Sequence, residues 1–146
     1  MARSTFVVEN SQALTDSLRA LDNIASESVL RQAAVAGARV IFDEVKLRAP
    51  VGDAVYERKG STHAPGTLKN SIIVAYDKER SVDGKLASYL VTWSKDAFYG
   101  RFLEYGTSKM SARPFLRPAY EAKKQAAADA VNEVIQTKAA EFSNGQ

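Results

Sequence analysis

The side chains best suited to bind another molecule are two arginines that each precede a proline, Arg113 and Arg117. A guanidinium group is a rigid, planar fork of donors that matches carboxylates and phosphates. Each arginine is therefore able to bridge a carboxylate or phosphate of a partner. The alternative is a role within the chain, in which each arginine binds a nearby carbonyl or pairs with Glu104 or Glu121. The sequence leaves both interpretations open.

Residues typical of catalysis are few. The chain has one histidine, His63, and no cysteine. A general base needs a positioned partner and a cleft, and one histidine cannot build a multi-histidine metal site. Asp43 and Glu44 are consecutive in a predicted helix, so they point about 100° apart and favour a solvated surface. We therefore predict that the protein is not an enzyme, that it has no catalytic, cofactor-binding or metal-binding residues, and that His63 is a solvated loop residue.

Length and composition indicate a globular protein. The chain has 146 residues, of which 45% are hydrophobic and 25% are charged, so we expect one domain, 1–146, with a real core. The absence of cysteine excludes disulfides and thiolate metal sites and suits a protein made in the cytoplasm. No apolar run approaches ~18 residues, so we expect no membrane-spanning segment.

Positive charge is concentrated in one segment. The net charge is +3, and Arg101–Lys124 holds six basic residues against two acidic ones. A basic patch of this size can face acidic protein or nucleic acid. One functional hypothesis is therefore a small nucleic-acid-binding module that uses Arg101–Lys124. The modest net charge and the lack of a basic recognition helix count against it.

Caps and apolar spacing predict three main helices. The first is short, begins at Asn10 or Ser11, and carries leucines at near-helical spacing. The second, Ser26–Leu47, begins at an N-cap serine and contains several small residues, which indicates close packing against another element. The third, Pro118–Phe142, begins where a proline is tolerated and is followed by a frayed tail over 143–146. The predicted buried side of the second helix is Leu30, Ala34, Gly37, Ile41 and Val45, and that of the third is Tyr120, Ala127, Val131, Val134, Ile135 and Phe142.

Two strands and a loop are predicted between the helices. Alternating apolar residues favour strands over Leu68–Tyr76 and Leu86–Trp93, and the Asp83–Gly84 turn signal between them indicates an antiparallel hairpin. Residues 51–65 read as a long, flexible, exposed loop, and Ala97–Glu104 as a short helix. The fold class is therefore α+β: a small antiparallel sheet with a long helix in the N-terminal half and a C-terminal helix packed on one face.

The stretch Phe102–Ala119 combines turn formers, aromatic residues and both Arg-Pro steps. Gly106 allows positive φ, and the two prolines restrict the backbone, so the stretch predicts a shaped loop that leads into the last helix. Aromatic residues, methionine and arginine are enriched at protein interfaces, and the same residues also suit a core. The aromatic residues just before and within this stretch are interpreted as mainly core: Phe98, Tyr99, Phe102 and Tyr105.

The segments Glu104–Ser108 and Ala112–Pro118 resemble the signature of a family, the tail-completion or head–tail joining proteins (minor tail components) of long-tailed bacteriophages. Two further stretches resemble the family in the same order, Ala49–Gly52 after a helix and Gly66–Ile72 before a strand. Together they span roughly the middle half of the chain. The segment 51–65 departs from the family pattern, because many relatives join the two upstream motifs with fewer residues.

The resemblance implies a structural protein of the virion, assembled in the cytoplasm of the bacterial host. Such proteins form rings, commonly sixfold, between the head connector and the tail tube, around a channel through which DNA passes. The segment 51–65 would then be an arm that orders against a neighbouring subunit or ring. No cofactor and no membrane is implied. The expected interface or loop-fixing residues are Glu104, Tyr105, Gly106, Arg113, Phe115 and Arg117.

Overall fold

A computed structural model describes residues 11–24, 26–52, 55–58 and 60–144 of the chain, which form an α+β fold as predicted. In chain order the elements are α1 (Ser11–Ile24), α2 (Glu27–Arg48), β1 (Tyr56–Arg58), β2 (Ser61–His63), α3 (Thr67–Ser71), β3 (Ile72–Tyr76), β4 (Tyr89–Trp93), a 3₁₀ turn (Lys95–Ala97), α4 (Gly100–Tyr105) and α5 (Leu116–Asn144). The predicted cap of the first helix falls on Asn10 and the Ser11 side chain, which lie outside the described part of the structure.

The two long helices, α2 and α5, pack against each other along much of their length. Ser26 caps α2 as predicted, since its hydroxyl accepts a hydrogen bond from the Val29 N–H at 3.5 Å. The helices approach closely at Gly37, where an added Cβ would lie 2.7 Å from Cγ2 of Val131 and 3.2 Å from the carbonyl oxygen of Ala127. The small residues of α2 therefore allow the close packing that the sequence predicts.

The predicted hairpin is formed by β3 and β4, which pair antiparallel from Ile72↔Trp93 to Tyr76↔Tyr89. Helix α2 packs against both strands. Both strands are shorter than predicted. The first begins at Ile72 because residues 67–71 form α3, and the second begins at Tyr89 because the backbone of Val82 and Leu86 closes the turn before it.

A compact core lies where α2, α3, β3 and the start of α5 meet. Its buried members are Val45, Ala49, Leu68, Ile72, Ala97, Phe115 and Ala119. Trp93 packs against the ring of Phe115, with the ring centroids 5.7 Å apart. The predicted buried sides of the long helices are only partly correct. Ala119 is buried in place of the exposed Tyr120, and Val29 and Ala33 are more buried than Leu30 and Ala34.

Both ends of α5 lie outside the predicted limits. The helix begins at Leu116, two residues before Pro118, and continues to Asn144. Residues 143–144 are therefore helical, residues 145–146 lie outside the described residues, and the frayed tail over 143–146 stays a prediction.

Candidate functional site

The carboxylate of Glu104 accepts hydrogen bonds from three successive backbone N–H groups at the start of α5. The N–H groups of Phe115 and Leu116 donate to Oε2 at 2.8 and 3.0 Å, and that of Arg117 donates to Oε1 at 3.0 Å. The first N–H groups of a helix have no partner within the helix, and the helix dipole favours a negative charge there. Glu104 therefore caps α5 from another helix, which explains why α5 begins before Pro118.

The loop between α4 and α5 is held by its own backbone. The Arg113 N–H donates to the carbonyl oxygen of Leu103 at 2.7 Å, and the Thr107 N–H donates to that of Met110 at 2.8 Å. Gly106 ends α4 with φ +74° and ψ 178°, a combination that is essentially restricted to glycine. A Cβ on Gly106 would lie 2.8 Å from the Ala112 nitrogen. The shaped loop predicted from the sequence is therefore present and rigidly supported.

We expect Gly106→Ala to destabilise the protein by about 2 kcal/mol, because the substitution adds both backbone strain and a close contact with Ala112. The matched control is Gly84→Ala, since Gly84 has φ +69° but a Cβ there would meet no atom within 4 Å. That control should lower the free energy of unfolding by about 1 kcal/mol. Urea denaturation measures both, and equal losses would show that the close packing around Gly106 contributes nothing.

The six expected interface or loop-fixing residues divide into two groups. Glu104 and Phe115 are buried, and Gly106 is half-buried. The other three lie at the surface: Tyr105, Arg113 and Arg117. Tyr105 is 76% exposed, which is unusual for a tyrosine that only fills a core.

No ion pair joins Glu104 to an arginine among the described residues. The intrachain pairing considered for Arg113 and Arg117 is therefore wrong as regards Glu104, because that carboxylate is engaged by backbone N–H groups. Glu121 instead binds Lys124, with Oε2 and Nζ 2.7 Å apart. The hydrogen bond and charge of Lys124 lower the pKa of Glu121, and the charge of Arg117 adds to the effect.

A half-open groove with a volume of about 410 Å³ lies beside this loop. We call it the proline–aromatic groove, and its principal lining residues are Pro50, Val51, His63, Pro65, Phe98, Phe102, Met110 and Arg113. Three of the four stretches that resemble the phage family contribute to its wall. Ala49–Gly52 supplies Pro50, Gly66–Ile72 supplies Gly66 and Leu68, and Ala112–Pro118 supplies Arg113. Segments far apart in the sequence therefore form one surface.

His63 forms part of the wall of the groove, and its burial contradicts the predicted solvated position. It is only 9% exposed, and its ring meets those of Tyr99 and Phe98 edge-on, with centroids 5.6 and 6.1 Å away. The expectation of a solvated loop residue is wrong because residues 56–58 and 61–63 of the expected loop form the hairpin β1–β2. That hairpin ends at His63, against the aromatic residues that precede α4. The flexibility of 51–65 stays a prediction.

The aromatic residues near α4 are more exposed than predicted. Phe98, Phe102 and Tyr105 are exposed and Tyr99 is half-buried, so the interpretation as core is wrong for three of the four. The reason is the orientation of the segment, in which Ala97 is fully buried and Leu103 packs against the core. Phe98 and Phe102 contact each other edge-to-face, with centroids 6.4 Å apart. They form the apolar floor of an open groove.

Sequence reasoning did not identify this groove as a site. The available signal was the two upstream motifs, Ala49–Gly52 and Gly66–Ile72, which were recognised as family-like but not as neighbours in space. No group of histidine, aspartate or glutamate side chains able to hold a metal ion occurs in the described ranges. Within those same ranges, no helix is long and apolar enough to cross a membrane.

Residues 12–106 match the family model described as "Bacteriophage HK97-gp10, putative tail-component". The match covers well over half of the chain and runs from α1 to the glycine that ends α4. It includes every groove residue named above except Met110 and Arg113. No curated protein and no solved structure matches the chain.

Proposed function

Because the chain belongs to the HK97-gp10-like family of bacteriophage tail components, we propose that it is the virion protein that completes the tail end or joins the tail to the head connector. In this proposal the chain is a single structural domain with no catalytic role. Its copies associate into a ring in the host cytoplasm, and the ring contacts the connector on one side and the tail tube on the other.

The observation that carries the proposal is the convergence of three of the family-like stretches on the proline–aromatic groove: Ala49–Gly52, Gly66–Ile72 and Ala112–Pro118. Four of its exposed members are large and apolar and line the same groove: Val51, Phe98, Phe102 and Met110. Aromatic residues, methionine and arginine dominate the centres of protein interfaces, and a contiguous apolar patch on a soluble chain marks such a surface. The groove is therefore a contact surface for an adjoining virion protein.

Arg113 supplies the charge at the rim of this surface. Its side chain lines the groove and forms no ion pair with any described residue. Its backbone is fixed by the bond to Leu103, so the guanidinium is presented from a rigid loop. A rigid donor fork beside an apolar floor suits an apolar segment of the partner that carries a carboxylate. The hairpin β1–β2 borders the same groove and would order against that partner as an arm.

The proposal is tested by electron microscopy of particles from a phage or induced prophage that lacks this gene, with complementation in parallel. We expect DNA-filled heads and separate tails, which complementation restores to joined particles. Intact infectious particles without the gene would overturn the joining role.

We expect Arg113→Glu to fold normally but to reduce the yield of joined particles by about tenfold or more, because it places like charges at the rim of the groove. The matched control is Lys95→Glu, the same charge change at an exposed position of the 3₁₀ turn that lines neither this groove nor the one between α2, α5 and β4. Complementation titres measure assembly, and thermal unfolding checks the fold. Equal titres for the two variants would show that Arg113 takes no part in the contact.

A second candidate function, DNA contact by the Arg101–Lys124 segment, is favoured by one observation. Lys123 and Lys124 lie near Glu44 and Glu121, but four basic residues of the segment have no carboxylate within 4 Å among the described residues: Arg101, Lys109, Arg113 and Arg117. Phosphate contacts release counterions, so DNA binding would weaken steeply with salt. Duplex-DNA titrations at several salt concentrations test it, and affinity independent of salt would exclude it.

A further inference from the structure

Helix α1 presents a row of leucines that its own chain leaves uncovered. Leu14, Leu18 and Leu21 are 53%, 56% and 60% exposed. Their spacing of four and three residues places them on one side of the helix. α1 lies against α5 and touches α2, but its described side chains are exposed except for the half-buried Asp16. A helix of 14 residues is marginal by itself and is stabilised mainly by packing of its apolar side. The leucine row is therefore not buried by packing within its own chain, although such a helix depends on that packing for stability.

A second groove lies elsewhere on the chain, between α2, α5 and β4, with a volume of about 790 Å³. We call it the α2–α5–β4 groove. Its lining combines small residues with larger exposed ones: Ala34, Ala38 and Ala128 with Leu86, Leu90 and Tyr120. Small residues between large ones are the holes that leucine side chains of another helix fill. The lining residues come from α2, the β3–β4 hairpin, α4 and α5, and none belongs to α1.

The charges around the two surfaces have opposite sign. α1 carries Asp16 and Asp22 against Arg19, so its net charge is −1. Asp22 is exposed, directly follows the last leucine of the row, and has no ion-pair partner among the described residues. The lining of the groove holds two basic residues, Arg80 and Arg117, against one acidic residue, Glu104, whose carboxylate already accepts hydrogen bonds from backbone N–H groups of Phe115, Leu116 and Arg117. The Arg80 side chain is largely exposed, with its only described carboxylate neighbour, Asp77, 3.7 Å away.

We propose that α1 of one copy of this chain packs into the α2–α5–β4 groove of a second copy. Leu14, Leu18 and Leu21 fill the groove, and Asp22 faces Arg80 and Arg117. Both surfaces are present on every copy and differ from each other, so the contact is head-to-tail and repeats from copy to copy. Such a contact closes a ring when its rotation permits, so this inference rests on the proposed ring and assigns its subunit contact.

Disulfide trapping tests this contact directly, because the chain has no cysteine of its own. The double variant Leu18→Cys/Leu90→Cys is oxidised mildly, both as purified full-length chain and in tail particles from producing cells. A disulfide forms only between residues whose Cα atoms are roughly 4.4–6.8 Å apart. We expect a ladder of covalent dimers, trimers and larger species under non-reducing electrophoresis, which collapses on reduction. Each single variant should remain monomeric.

The matched control is Leu18→Cys/Val51→Cys, which moves the second cysteine to the exposed Val51 of the proline–aromatic groove. An equal ladder from this control, dimers from Leu18→Cys alone, or no ladder in either preparation would each overturn the proposed contact. Dimers from the single variant would indicate that α1 pairs with α1, and no ladder would indicate that the leucine row meets a different protein.

The outcome is distinguishable from failure of the proposed function. A ladder combined with intact particles from the gene deletion would leave the subunit contact standing and remove the joining role. Separate heads and tails with no ladder would support the joining role and overturn the proposed subunit contact. As a second check, Leu18→Asp should abolish the larger species in size-exclusion chromatography with little change in melting temperature, because Leu18 is exposed in the isolated chain.

Discussion

Glu104→Ala is expected to destabilise the protein by about 3–5 kcal/mol, because three backbone N–H groups at the start of α5 lose their acceptor together. The side chain is buried, so water does not readily replace the lost carboxylate. Glu104→Gln keeps one acceptor oxygen and should cost less, about 1–3 kcal/mol. Urea denaturation of the three proteins measures the series.

The control for this series is Glu121→Ala, which removes an exposed carboxylate that binds Lys124 at 2.7 Å. An exposed ion pair of this kind contributes little, so the control should change the free energy of unfolding by less than about 1 kcal/mol. Similar losses at Glu104 and Glu121 would show that the cap across α4 and α5 is unimportant for stability.

Phe115→Ala is expected to lower the free energy of unfolding by about 3–5 kcal/mol. Phe115 is fully buried at the centre of the core, so its removal leaves a cavity beside Trp93. The variant should also lose joining activity, since the same ring holds the start of α5 and hence the loop that carries Arg113. Thermal or urea denaturation measures the stability, and complementation measures the joining.

Phe102→Ala is the matched control, because it removes the same side chain from the exposed floor of the proline–aromatic groove. We expect it to change the free energy of unfolding by about 1 kcal/mol or less while reducing the yield of joined particles. A stable Phe115→Ala variant would contradict the core assignment, and a fully active Phe102→Ala variant would contradict the contact surface.

The variants fall into two pairs: those at Glu104 and Phe115 test side chains that support the α4–α5 loop, and those at Arg113 and Phe102 test side chains proposed to contact a partner. Glu104 and Phe115 act from inside, where they hold the α4–α5 loop in one conformation. In the proposed function, Arg113 and Phe102 contact the partner at the groove that this loop and the β1–β2 hairpin border. Stability should therefore change with the first pair, and assembly without loss of stability should change with the second.

The features that sequence reasoning predicted correctly depend on neighbouring residues. The serine that caps α2, the Asp83–Gly84 turn and the pairing of β3 with β4 depend on short stretches of chain, so their signals are readable locally. The resemblance to phage tail components likewise rests on short motifs, and the family match over residues 12–106 agrees with it.

The remaining features depend on how distant elements are oriented, which local patterns do not encode. Glu104 reaches N–H groups 11 to 13 residues ahead, and only the packing of α4 against the start of α5 brings them together. The orientation of α4 also places Leu103 against the core and leaves Phe102 exposed. His63 is buried because the β1–β2 hairpin meets the rings of Phe98 and Tyr99, 35 and 36 residues later. The sequence therefore determined the long helices, the β3–β4 hairpin and the family, whereas tertiary packing decided which side chains became core, cap or exposed surface.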